Sequence, residues 1–170
     1  VESQERSYGF ATTLLRYRPM ADGQLHTLDA VPVADAELTC AVLDPLGDLA
    51  YFASAGTSGG APSRLYKVDV ARWSAATSVL GSLALGTEDG PVTTCSLDTT
   101  RSIVYLGLGG ASGRIVAVNV ATSTMTRLAG FVRAPGHLLA ATPLPSGGAP
   151  LFATSRLAPP PLPEGVFAPL

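Results

Sequence analysis

A chain of 170 residues that is 46% hydrophobic and 14% charged can bury an apolar core, and its composition is not that of a disordered segment. A net charge of −2, with a single lysine (Lys67) and scattered arginines, argues against a nucleic-acid partner held by phosphate contacts, which needs a basic face. No run reaches the roughly 18–20 apolar residues of a membrane span.

The chain begins at Val1 with Glu2, Glu5 and Arg6 close behind, unlike the apolar stretch of a signal peptide, which suggests a removed leader or a segment of something longer. Leu15–Arg18 and Gln24–Leu28 have strand character. Four further runs follow at Glu37–Asp44, Leu49–Ala55, Arg64–Val70 and Ser78–Leu85, then four more at Val92–Asp98, Ser102–Leu108, Arg114–Val120 and Thr126–Val132. Between them lie turn signals such as Asp44-Pro-Leu-Gly47, Gly59-Gly-Ala-Pro62, Gly109-Gly110 and Ser112-Gly113, where glycine supplies positive φ and Asp accepts from nearby amides. Alternation along Arg64–Val70 sets Leu65, Lys67 and Asp69 on one face and Tyr66, Val68 and Val70 on the other, which predicts a half-wet face at that strand. Helix signals are weak; only Val70–Ala76 offers a short turn.

The two groups of four are copies. Asp44, Tyr51 and Gly56 match Asp98, Tyr105 and Gly110 at an offset of 54, and Arg64–Val70 matches Arg114–Val120 at an offset of 50. A fainter copy from Leu138 aligns with the segment from Leu38 at an offset of 100, with Pro145, Gly147 and Phe152 on Pro45, Gly47 and Phe52. The N-terminal runs read like the later half of such a unit. The expected organisation is an outer half-unit over 1–36, full units over 37–90 and 91–136, an inner half-unit over 137–156, and a Pro-rich extended tail over 157–170.

Four-stranded units of about 40–50 residues have the period of propeller blades. Leu43-Asp-Pro-Leu-Gly-Asp-Leu-Ala-Tyr-Phe-Ala53 with Arg64-Leu-Tyr-Lys-Val-Asp-Val70 resembles the YVTN/NHL-like class of β-propeller repeats, and Ser96-Leu-Asp98, Val104-Tyr105 and Arg114–Asn119 keep the pattern. The resemblance implies an all-β fold of tandem four-stranded antiparallel blades, about three blade equivalents incomplete at both ends. The repeat positions are Asp44, Asp98, Tyr51, Tyr105, Gly56, Gly110, Arg64 and Arg114. First strands of successive blades lie around a central channel. Cys40 and Cys95, at equivalent places on two such strands, are therefore expected to be too far apart to bond directly. They read as buried small hydrophobes, with a disulfide across blades or chains as the alternative.

No constellation for catalysis, cofactor or metal emerges. His26 and His137 are the only histidines; His137 has no acidic neighbour, and Asp29 lies on the opposite strand face from His26. Gly56-Thr-Ser-Gly-Gly60 fits a nucleophile-elbow pattern but leads to another strand rather than a helix, and Gly107–Gly113 fails a dinucleotide fingerprint for the same reason. The recurrence of Asp44 and Asp98 once per unit points to turn chemistry rather than to a paired-carboxylate site. Asp29, Asp35 and Glu37, and the Glu88–Asp89 pair, read as solvated loop charge. The tail carries Leu162, Val166, Phe167 and Leu170 as apolar studs on polyproline-like chain, and the stretch around Pro159–Pro161 permits O-linked sugar; Asn119, the only asparagine, is not in a sequon.

Rings of such units close with about four to eight blades, so three leave strands wanting partners. Three completions are open: a cut from a longer chain, two copies sharing a ring, or a head-to-tail polymer. The expected function is a non-catalytic structural or scaffold module that self-associates with other copies through its terminal strands and Pro-rich tail, as a subunit of an extracellular or cell-surface filament or assembly. Two alternatives stand beside it: a lactonase-like metal-dependent propeller hydrolase, and a ligand-binding segment of a larger surface protein.

Overall fold

The computed structural model describes residues 13–19, 25–32, 37–44, 46–56, 61–71, 79–109, 113–130, 132–133, 136–143 and 150–155, with the backbone alone for 13–19, 25–32 and 155. The fold is all-β and every pairing is antiparallel. Strands β1 (Thr13–Pro19) and β2 (Leu25–Pro32) form an N-terminal hairpin that is a sheet of its own. Sheet 1 runs in chain order through β3 (Leu38–Asp44), β4 (Leu49–Ser54), β5 (Arg64–Asp69) and β6 (Val79–Ala84). A 3-10 turn at Thr87–Asp89 leads into sheet 2: β7 (Val92–Asp98), β8 (Ile103–Leu108), β9 (Arg114–Asn119), β10 (Thr126–Arg127) and β11 (Val132–Arg133). The last hairpin joins β12 (His137–Thr142) to β13 (Leu151–Ser155).

The fourth strand expected over Thr126–Val132 is two short pieces, each paired with β9. Gly130 interrupts them at φ +87, a left-handed conformation that cannot continue a strand.

The copies coincide in register as well as in sequence. The leading strand pairs β3–β4, β7–β8 and β12–β13 each slip by one residue at their start, between Leu38 and Cys40, Val92 and Thr94, and Leu138 and Ala140. In sheets 1 and 2 the residue inside that bulge is a threonine whose hydroxyl donates across the pair, from Thr39 Oγ1 to Ala53 O at 3.3 Å and from Thr93 Oγ1 to Gly107 O at 3.2 Å. A bulge leaves a residue without its ladder partner, and the hydroxyl supplies a local bond there.

The turns after β3 and β7 are built alike. Asp44 Oδ1 accepts from the amides of Leu46 and Gly47, and Asp98 Oδ1 from the amide of Arg101. Each turn ends on a residue with positive φ, Asp48 at 50° and Ser102 at 53°, whose carbonyl accepts from Val70 N or Val120 N at 2.9 Å. Non-glycine residues are strained there. Glycine at 48 or 102 relieves that strain and outweighs the added freedom of the unfolded chain, so each substitution is expected to stabilise by about 0.5 kcal/mol. A chemical-denaturation midpoint that falls in both variants would refute the account.

Strand β7 packs between β3 on one side and β12 on the other, so the first strands of successive units lie together. The main core is the seam between sheets 1 and 2. Sheet 1 contributes Tyr51, Ala53 and Leu65, and sheet 2 contributes Val104, Leu106, Leu108, Val116 and Val118. A second cluster, Tyr66 and Val68 with Leu38 and Phe52, occupies the opposite face of sheet 1.

Candidate functional site

The seam between the sheets shows how one unit covers another. Tyr51 stands directly opposite Lys67 in the β4–β5 register, and both lie on the face turned to sheet 2. The expected half-wet face is not there: Lys67 is only 5% exposed. Its Nζ crosses the seam and donates to Val120 O at 3.0 Å and Thr122 O at 2.9 Å. Alternation located the face correctly but could not tell that a second sheet covers it. Burial lowers the Lys67 ammonium's pKa, with Asp44 pulling the other way; burial, helped by Asp44, pushes the Tyr51 phenol up to about 12.

Cys40 and Cys95 form a disulfide across the same seam, with a Cα–Cα distance of 5.9 Å. This corrects the expectation that the thiols lie too far apart. Cys40 holds the register place of Thr94, one residue before Cys95, so Cys40 faces sheet 2 and Cys95 faces sheet 1, and the packing of β3 against β7 brings the two thiols within bonding reach.

Of the Glu88–Asp89 pair, Glu88 is exposed as expected, but Asp89 departs from the expected solvated charge. Asp89 is 2% exposed; its Oδ2 accepts from Gly86 N at 2.9 Å and its Oδ1 pairs with Arg127 Nη2 at 2.8 Å, while Glu88 reaches Arg127 Nη1 at 3.6 Å. The pair ties the linker between the sheets to β10. Among the described residues no group of three His, Cys, Asp or Glu side chains is placed to hold a metal.

On its far side, sheet 2 is covered only in part. Gly107 lacks a Cβ, and a Cβ there would come within 3.2 Å of Leu138 Cβ; this lets β12 approach closely. The Thr93 hydroxyl, whose single proton is shared between two carbonyls, lies closer to Leu138 O, at 2.7 Å across that contact, than to Gly107 O. Further out, Tyr105, Ile115 and Ala117 line an open groove of about 350 Å³ with Ala129, Gly130 and Val132. These positions correspond to Tyr51, Leu65 and Lys67 of sheet 1, which are buried. Tyr51 and Tyr105 thus share a register position but not a degree of cover. Val132, in this groove, is 64% exposed; Leu151, on the C-terminal hairpin, is 59% exposed, and β13 has β12 as its one strand partner among the described residues. Ser96, fully buried beneath the same face where sheet 1 has Val42, carries a hydroxyl without a hydrogen-bond partner among the described residues.

The remaining repeat positions are placed as follows. Gly56 has φ +77, and a Cβ there would stand 2.6 Å from Ala61 O, so the β4–β5 connection needs glycine. Arg64 begins β5, its amide donating to Ser54 Oγ; Arg114 begins β9 and reaches Glu88 O at 3.0 Å. Gly110, Ser58, the turn over 72–76, Asp35 and the tail residues Leu162, Val166, Phe167 and Leu170 lie outside the described residues. Sequence reading missed the groove formed by Ile115, Ala117 and Val132; the match of Ile115 and Ala117 to buried positions of sheet 1, with a faint third copy behind them, is the signal that could have found it.

The fold and this face define an all-β repeat protein whose antiparallel sheets stack side by side, with one stacking face left partly open. No protein-family model matches the chain, and no curated protein matches its sequence.

Proposed function

We propose that the protein is a non-catalytic structural module of β-propeller type that self-associates within an extracellular or cell-surface assembly. The observation that carries the reading is the partly uncovered face of sheet 2, with its open apolar groove, together with strand β13, which has one strand partner among the described residues. A bare apolar edge is a template for pairing with another chain. Repetition of four-stranded sheets in one register supports the propeller comparison, and the disulfide supports an oxidising compartment. Among the described residues no helix is long and apolar enough to cross a membrane.

The test is sedimentation of the 170-residue chain over a hundredfold range of about micromolar concentrations, since assembly shifts by mass action. The average mass is expected to rise with concentration. A mass fixed at that of one chain throughout would overturn the proposal.

A further inference from the structure

We infer that the open face of sheet 2 and the free side of β13 are completed by the β1–β2 hairpin of a second copy of this chain. The inference rests on the self-association reading and names its contact. Its basis is a match of registers. In sheet 1 the trailing pair β5–β6 slips by one residue between Lys67 and Val68, after the fourth residue of β5. The N-terminal hairpin slips between Arg16 and Tyr17, after the fourth residue of β1. The same bulge in the same place makes β1–β2 a trailing pair, with Thr13, Leu14, Leu15, Arg16 and Tyr17 at the positions of Arg64, Leu65, Tyr66, Lys67 and Val68. The C-terminal hairpin carries the bulge of a leading pair. Each hairpin is a two-stranded sheet in this fold, and together they make one four-stranded unit.

The register of the joint follows from sheet 1, where Tyr51, Phe52 and Ala53 face Lys67, Tyr66 and Leu65. Transferred to the composite, Leu151, Phe152 and Ala153 face Arg16, Leu15 and Leu14. Leu15 and Tyr17 then occupy the places that Val116 and Val118 hold in sheet 2. Those two valines are fully buried where they cover the Tyr51 and Leu65 face of sheet 1. An apolar Leu–Tyr row therefore meets the apolar groove of Tyr105, Ile115 and Ala117. Pairing with its own hairpin would close a ring of three units, fewer than the roughly four to eight at which rings of such sheets close, whereas two copies sharing hairpins reach that range. The second copy is thus favoured by geometry.

The test has two arms, both on the full chain. Ala117→Arg places a charge on the groove floor while leaving the buried seam untouched, and should weaken association about tenfold or more with an unchanged unfolding midpoint at a dilution where both chains are monomeric. Separately, copies carrying Leu14→Cys are mixed with copies carrying Ala153→Cys under mild oxidation, and a cross-linked pair of one each should form. If wild type associates but Ala117→Arg associates equally well, the inference falls and self-association survives. If a chain carrying both cysteines links only within itself while the mixed copies do not link, the hairpin closes on its own chain and the inference is overturned. A wild-type chain that stays monomeric sinks the self-association reading as well.

Discussion

Reduction of the Cys40–Cys95 bridge is expected to lower the unfolding free energy by about 4 kcal/mol at 25 °C, from the loop entropy released to the denatured chain. The two cysteines are 55 residues apart in sequence, so the cross-link closes a long loop. Domain stabilities lie at about 5–15 kcal/mol, and such a loss takes a large share of the total. The bond also fastens β3 to β7 at the seam between the sheets, so sheet 1 should separate more readily once it is cut. Guanidinium unfolding with and without reductant measures the effect, and the Cys40→Ala, Cys95→Ala chain checks that no other thiol chemistry is responsible. Coincident midpoints in the two conditions would show that the bridge is not formed or stabilises nothing.

Lys67→Ala is expected to cost about 3 kcal/mol. It removes a buried four-carbon stem and leaves the carbonyls of Val120 and Thr122 without the ammonium that bonds them. Lys67→Met keeps most of the stem and loses only the donors, so its cost should be about half as large. Equal midpoints for wild type and Lys67→Ala would contradict the buried clamp. The pH dependence has two opposed parts. Because the Lys67 pKa is lowered on folding, the unfolded chain holds the extra proton between the folded value and 10.5, and stability rises with pH across that window. Because the Tyr51 pKa is raised to about 12, the folded chain keeps its phenolic proton longer, and stability falls as pH climbs from 10 to about 12. The pair's joint contribution therefore peaks near pH 10. In Lys67→Met the rising limb disappears and the falling one remains; a rising limb of equal size in that variant would refute the assignment.

Much of the all-β organisation could be read from local chemistry. Asp44 and Asp98 mark turns because a carboxylate serves the amides just after it, a matter of two or three residues. Strand runs such as Arg64–Val70 show their faces by alternation alone. What lay beyond local pattern was the stacking of one sheet on the next. The disulfide, the buried Lys67 and the Asp89–Arg127 pair all join residues 38 or more positions apart, and each depends on which face meets which. A lone lysine in an apolar strand, and one cysteine on the first strand of each of two adjacent copies, were visible traces of that stacking. Gly130 was a visible sign of the break in the fourth strand of sheet 2. The open groove is legible only by contrast: Tyr105 sits where Tyr51 is buried, and the difference between them is the missing cover.

The seam carries a consequence for how the molecule comes apart. Arrays of repeated units ordinarily fray from an end, each module melting with its own stability and leaning only on its neighbour. Here a covalent bond, a lysine bonded to two carbonyls and a continuous apolar layer rivet the first two modules together. They should open as one cooperative block, while the C-terminal hairpin, attached through β12 and the Gly107 contact, opens at lower energy. The most readily exchanged part of the protein would then be the part with a sheet edge to offer, and the rivets behind it would hold the remainder fixed while that edge finds a mate.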